Sequence, residues 1–208
     1  MKKTLRRRGF TLVELIVVIA IIGVLAAILV PTMLGWVLSS RVQSVNSTAA
    51  SIRKTLTNFM TAADTQGYGI LLGGTHVSEL SFKIDENGLW RLTNSDPEAF
   101  SGRGSFEWEG SGSGIANQDK SQADNAETLL CIELANALPN LRDACVWSYV
   151  SGNGCRFVCY CTETGEYDAG YFPTAEDFEN GTFSWNESTA GVTTEGIIVG
   201  TAPILTLG

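Results

Sequence analysis

The chain has 208 residues, with 14 Lys+Arg against 22 Asp+Glu, one His and five Cys. The length suits one ordinary globular domain plus an appended segment, and a net charge of −8 gives no basis for nonspecific attraction to nucleic acid. No GxxxxGK[ST] phosphate loop occurs, so the chain holds no nucleotide-driven motor of its own. Residues 1–30 read MKKTLRRRGFTLVELIVVIAIIGVLAAILV and are followed at once by Pro31. Lys2, Lys3, Arg6, Arg7 and Arg8 precede Gly9, and from Phe10 to Val30 the only charge is Glu14. As a helix that apolar run spans roughly 31 Å, about one hydrocarbon core. A carboxylate disfavours such a span, and an intramembrane ionisable residue needs a partner. A plain anchor, its N-terminus held in the cytoplasm by the cations, fits the length but not the acid. A cleaved secretory signal fits the cations, but its apolar run is normally only about 7–15 residues.

The string Gly9-Phe10-Thr11-Leu12-Val13-Glu14-Leu15, joined to a basic leader and an unbroken apolar helix, resembles the processing site of type IV pilins and type II secretion pseudopilins. The resemblance is close through the leader and stem and extends to the rest only in general layout. It implies that a membrane-embedded prepilin peptidase cuts after Gly9 and then methylates the new amino group of Phe10. Glu14 matches the family's assembly acid, and Pro31 its helix-kinking proline. The implied partners are further pilin subunits in a helical polymer, the peptidase/methyltransferase, an inner-membrane assembly platform, a cytoplasmic ATPase motor and membrane lipid. The implied location is the cytoplasmic membrane, single-pass with the N-terminus cytoplasmic, and then an extracellular pilus or envelope filament. No enzymatic activity, cofactor or nucleic-acid partner is expected.

Each of these residues has a physical reading. Gly9 has no side chain, so its backbone is easily extended into a protease cleft. Cleavage removes the five leader cations; 14 less 5 leaves 9 Lys+Arg against 22 acids, a net charge of −13. It also creates one terminal ammonium at Phe10, with an ordinary pKa of about 7.7–8.0. In a filament that ammonium can meet a neighbour's Glu14 and set the axial register between subunits. An intrachain Phe10–Glu14 pair at i,i+4 spacing is the competing arrangement. Pro31 removes a backbone bond and crowds the preceding turn, so a bend or local melting is expected there, with or without a role in assembly. Ala20, Gly23, Ala26 and Ala27 provide small positions for close helix approach.

Beyond Pro31, Val42, Val45, Ala49, Ile52, Leu56, Phe59 and Ala63 recur at three- and four-residue steps. That stripe predicts one long helix over 10–63, apolar all round in its first half and on one side in its second. Arg53 and Lys54 fall on other faces. Residues 64–208 read as a globular α+β head, giving a pilin-like fold of a long N-terminal helix on an antiparallel sheet. A glycine-rich connection at 67–76 precedes strand-like runs at Leu80–Ile84, Leu89–Thr93 and Ser105–Trp108, the first two joined by the turn Asp85-Glu86-Asn87-Gly88. A polar loop at 109–122 leads to a short helix over Ala126–Leu138 ended by Pro139. Residues 143–150 and 155–161 predict a hairpin across Ser151-Gly152-Asn153-Gly154. Thr182–Trp185 and Gly196–Val199 are further strand candidates.

Cys131, Cys145, Cys155, Cys159 and Cys161 all lie in the head. Strand parity places Cys155, Phe157, Cys159 and Cys161 on one face. An odd-to-odd hairpin register then sets Cys145 opposite Cys159 or Cys161, with Cys131 reaching a second member. Two disulfides and one leftover thiol is the simplest count, and it suits an oxidising, extracytoplasmic location. A zinc site is disfavoured, because C-x3-C-x-C is not a C-x2-C knuckle and the one histidine, His76, is distant in sequence. A catalytic cysteine would have only His76 as a base. The acids at Glu176, Asp177 and Glu179 suit a helix first turn. Trp90, Trp108, Trp147 and Trp185 suit core or sheet-face positions, with carbohydrate binding the sharper alternative. The leading functional reading is a type IV pilus subunit. The alternatives are a secretion pseudopilin and a non-polymerising anchored binding protein.

Overall fold

The structure, a computed structural model, describes residues 10–65, 77–95, 126–151, 154–162, 172–185 and 189–208. Gly9 and the rest of the leader, the 67–76 connection with His76, the run Ser105–Trp108, the 109–122 loop and the hairpin-tip residues Gly152 and Asn153 lie outside the described residues. The chain divides into two compact units, the first reaching Ser40 and the second covering Arg41–Gly208. Helix α1 (Leu12–Thr65) supplies residues to both.

In the first unit the large apolar side chains from Leu12 to Val37 are exposed around the whole circumference of the helix. The helix runs unbroken through Pro31, so no local melting occurs there. Proline removes a single backbone donor, and the flanking turns keep their other bonds. The Thr32 hydroxyl donates to the Leu29 carbonyl at 2.9 Å, which satisfies a polar group within an otherwise apolar segment.

The second unit is built on β1 (Val77–Ile84), β2 (Trp90–Ser95), α2 (Ala126–Ala137), β3 (Ala144–Ser151), β4 (Gly154–Cys161), α3 (Ala175–Asn180), β5 (Thr182–Phe183), β6 (Val199–Ala202) and β7 (Thr206–Leu207). Five strands form one antiparallel sheet in the order β2-β1-β3-β4-β6. Successive side chains on a strand point to opposite faces, and both faces are covered. On one face α1 contributes Val45, Ala49, Ile52, Leu56, Phe59 and Met60, and α2 contributes Leu130, Cys131 and Leu134. They pack on Phe82, Trp90, Val146 and Val158 of the sheet. On the other face Phe172, Trp185 and Leu205, with α3 and β5, cover Cys145, Trp147, Phe157 and Cys159. Met60, one position off the expected stripe, is fully buried because a packed helix presents a band wider than a single row.

Two strand candidates differ from expectation. Thr182–Trp185 does not extend the main sheet. Its first two residues pair in parallel with Thr206–Leu207 as a separate two-stranded sheet. In the Gly196–Val199 run only the end is strand: the Gly196 N–H closes a turn on the Thr193 carbonyl at 2.9 Å, Ile198 forms an antiparallel bridge to Val192, and β6 begins at Val199. The β1–β2 turn forms as read, with Asp85 Oδ1 accepting from the amides of Asn87 (2.8 Å) and Leu89 (2.9 Å) and Gly88 at φ 81°.

Three polar side chains of α1 tie its second half to sheet backbone. Asn46 Oδ1 accepts from the Thr201 N–H of edge strand β6 at 2.8 Å. Arg53 Nε donates to the Cys155 carbonyl at 3.1 Å, and Thr57 Oγ1 accepts from the Cys155 N–H at 3.2 Å. A hydrogen bond is worth about 0.5–1.5 kcal/mol net, whereas each buried Ile, Leu or Phe contributes about 1.5–3 kcal/mol. The apolar stripe therefore supplies most of the stabilisation, and the polar bonds set where the helix sits. Gly200 on β6 lies against the helix backbone itself: a Cβ there would run into the Val45 carbonyl. Gly200→Ala should therefore destabilise the head by about 1–3 kcal/mol, as overpacking does. Gly23→Ala, whose Cβ meets nothing within 4 Å, should leave it unchanged. Thermal unfolding of the detergent-solubilised chain compares the two, and equal stability of the Gly200→Ala variant would disprove the close seat.

Candidate functional site

The residues singled out by the sequence fall into two places, the start of α1 and the hairpin β3–β4. At the start of α1, Phe10 is 76% exposed and Thr11 is the residue before the first helical turn. Glu14 Oε2 accepts from the Thr11 N–H at 2.9 Å and from the Thr11 hydroxyl at 2.7 Å. The Glu14 N–H in turn donates to Thr11 Oγ1 at 3.3 Å. This reciprocal arrangement is a capping box, which satisfies orphan donors at a helix start. The helix dipole favours a carboxylate in the first turn. In the uncleaved chain, where Phe10 is joined to Gly9 and has no free ammonium, Glu14 is held by Thr11. The signal was present in the sequence as Thr11-x-x-Glu14. The same device starts α3, where Thr174 and Asp177 cap each other.

In the hairpin, Cys145 and Cys161 are directly opposed and form a disulfide with a Cα–Cα distance of 5.5 Å. Cys131, Cys155 and Cys159 are buried thiols outside that bond. One disulfide, rather than two and a leftover thiol, is therefore present. The hairpin also carries a bulge: Tyr149 pairs with Phe157 while Val150 pairs with Cys155, so Arg156 is an extra residue. The bulge breaks strand parity. Cys155 turns to the face that holds α1 and α2, while Phe157, Cys159 and Cys161 stay on the other. Arg53 and Thr57 take the Cys155 backbone groups at that break. Sequence reading placed Arg53 among the helix's other faces, and nothing in its spacing marked it as a sheet contact.

The thiols are chemically quiet. Burial pushes the Cys155 thiol up to about 12, opposed by the nearby Arg53 charge and by its bond to the Phe157 carbonyl. Burial alone drives Cys159 well above the ordinary thiol range. Only the thiolate is reactive, so a nucleophilic role has no support here. Trp90, Trp147 and Trp185 are buried, which removes them as exposed sugar platforms; Trp108 lies outside the described residues. Among the described residues no group of three or more His, Cys, Asp or Glu side chains is placed to hold a metal ion.

These thiols make stability pH-dependent. Their pKa is raised in the folded state, so the protonated form is favoured there. The contribution is complete below the unfolded thiol pKa of about 8.5 and is lost as pH climbs from there through about 12. Native protein at pH 8 should therefore react slowly with a thiol reagent. Denatured, unreduced protein should release three equivalents, and a count of one would show a second disulfide instead.

Comparison with known proteins agrees with the geometry. The prokaryotic N-terminal methylation motif matches residues 4–30, which is the prepilin signal of type IV pilins and pseudopilins. A family model described as a domain of unknown function (DUF5021) matches residues 42–206. No solved structure matches the chain. The chain is thus a membrane-anchored, pilin-like protein of α+β architecture whose head belongs to the DUF5021 family.

Proposed function

We propose that the chain is the structural subunit of a type IV pilus. It is made as a prepilin with leader 1–9, stem and helix 10–63 and head 64–208. It is held in the cytoplasmic membrane with its N-terminus inside, cleaved after Gly9 and N-methylated at Phe10. It then polymerises through its stem into an extracellular filament. The observation that carries this reading is the stem itself: its large apolar side chains are exposed around its whole circumference, and it bears one carboxylate in its first turn. Such a helix is satisfied by lipid or by the stems of other subunits. Transfer between the two needs little net hydrophobic gain, because each is apolar. Head-to-tail contacts that do not close generate open helical polymers.

Glu14 fits this cycle. Its two capping bonds land on one oxygen, Oε2, and a carboxylate has about four acceptor sites. The capped carboxylate can therefore also accept a neighbour's Phe10 ammonium. Extraction from the membrane needs a separate ATPase and assembly platform. The buried disulfide suits an oxidising location outside the cytoplasm, where the pilus reading places the head.

Glu14→Ala should insert into the membrane as the parent does but give no filaments in sheared fractions viewed by electron microscopy. Normal filaments from that variant would remove the register role. Intact mass of the mature protein should correspond to a chain starting at Phe10 with one added methyl group. Any other start would overturn the processing step. Filaments that appear only when a secretion channel is co-expressed would support the pseudopilin reading in place of the pilus.

A further inference from the structure

The apolar part of α1 does not end where its first 21 residues suggest. Past Pro31, the side chains of Met33, Leu34, Trp36 and Val37 are exposed, and Arg41 is the first charge after Glu14. From Phe10 to Leu38 the helix measures roughly 43 Å. That exceeds a hydrocarbon core of about 30 Å and matches the roughly 40–45 Å that includes the headgroup layers. The whole apolar run therefore cannot lie in hydrocarbon at once, and something must fix which part does.

Trp36 is the most exposed large hydrophobic side chain among the described residues, at 82%. It is followed closely by Ser39, Ser40 and Arg41. An indole pairs a large apolar surface with one N–H donor, and it is enriched where a membrane meets water. We infer that Trp36 is a depth anchor, seated in the outer headgroup layer of the bilayer that stores the subunit. About 20 residues inward, or roughly 30 Å, the inner edge of the hydrocarbon core falls near Ile16. Glu14 and its Thr11 cap then lie just past that edge, in the hydrated inner headgroup layer. The stored subunit keeps its carboxylate wet, and the carboxylate loses water only on entering a filament. This inference rests on the membrane-stored reading of the stem.

The test reconstitutes the full chain into phosphatidylcholine/phosphatidylglycerol vesicles whose acyl chains are brominated either near the headgroup or near the chain end. The quenching lost in Trp36→Phe isolates the Trp36 signal from the tryptophans of the head. It should be at least twofold larger with shallow bromines than with deep ones. Equal or deeper quenching would place Trp36 inside the hydrocarbon and overturn the anchor. Absence of Trp36 quenching in chain that floats with the vesicles would also overturn it, while leaving membrane storage intact. Chain that fails to float would overturn membrane storage and the anchor together.

Discussion

The head depends on how the second half of α1 is seated on its sheet. An apolar band from Val45 to Met60 supplies the burial, but burial alone is non-directional. Position comes from Asn46, Arg53 and Thr57, which take backbone groups of β4 and β6. These residues follow one another at steps of seven and four, so they form a polar rail beside the apolar band. The Val45 carbonyl against Gly200 fixes the approach distance. The outward amides of edge strand β6 are taken, Val199 N–H by the Gly191 carbonyl at 2.9 Å and Thr201 N–H by Asn46 Oδ1 at 2.8 Å, so they are not open to pairing with another strand.

The stem obeys a different rule. Its residues are apolar whichever way they face, so no one face of it is set apart by polarity. What distinguishes one end from the other is polar: a capping box at Thr11 and Glu14, and Trp36 with Arg41 beyond Pro31. The same helix thus passes from a segment defined by its ends to a segment defined by its side.

Much of this was legible because it rests on local chemistry. The helical stripe, the Asp85–Gly88 turn, α2 and the β3–β4 hairpin each follow from periodicity or turn residues over a few positions. The Cys145–Cys161 pairing was legible to within two candidates from register parity. The bulge at Arg156 was not, because a bulge adds a residue without any required residue type. It sent Cys155 to the face that also holds Cys131. The fate of Thr182–Phe183 was hidden for a related reason. Its partner, Thr206–Leu207, lies beyond β6, and a two-residue parallel pair leaves no alternating pattern to read. The spacing of Arg53 sets it off the apolar stripe and carries no sign that its Nε reaches the Cys155 carbonyl beside the bulge. The capping role of Thr11 was readable and was obscured by the stronger signal of Glu14.

The disulfide has a mechanical consequence. Cys145 and Cys161 lie 16 positions apart in the chain, and they bracket the turn between neighbouring strands. When α1 is pulled, the head can lengthen by releasing β1, β2, β6 and the segments that follow. The stretch inside the disulfide cannot lengthen, which withholds on the order of 50 Å of extended chain. It also keeps β3 and β4 as a paired core with both outer edges free to receive β1 and β6 again. A load that opens the head therefore leaves behind a template for closing it, and extension stops at a covalent knot rather than at full unravelling.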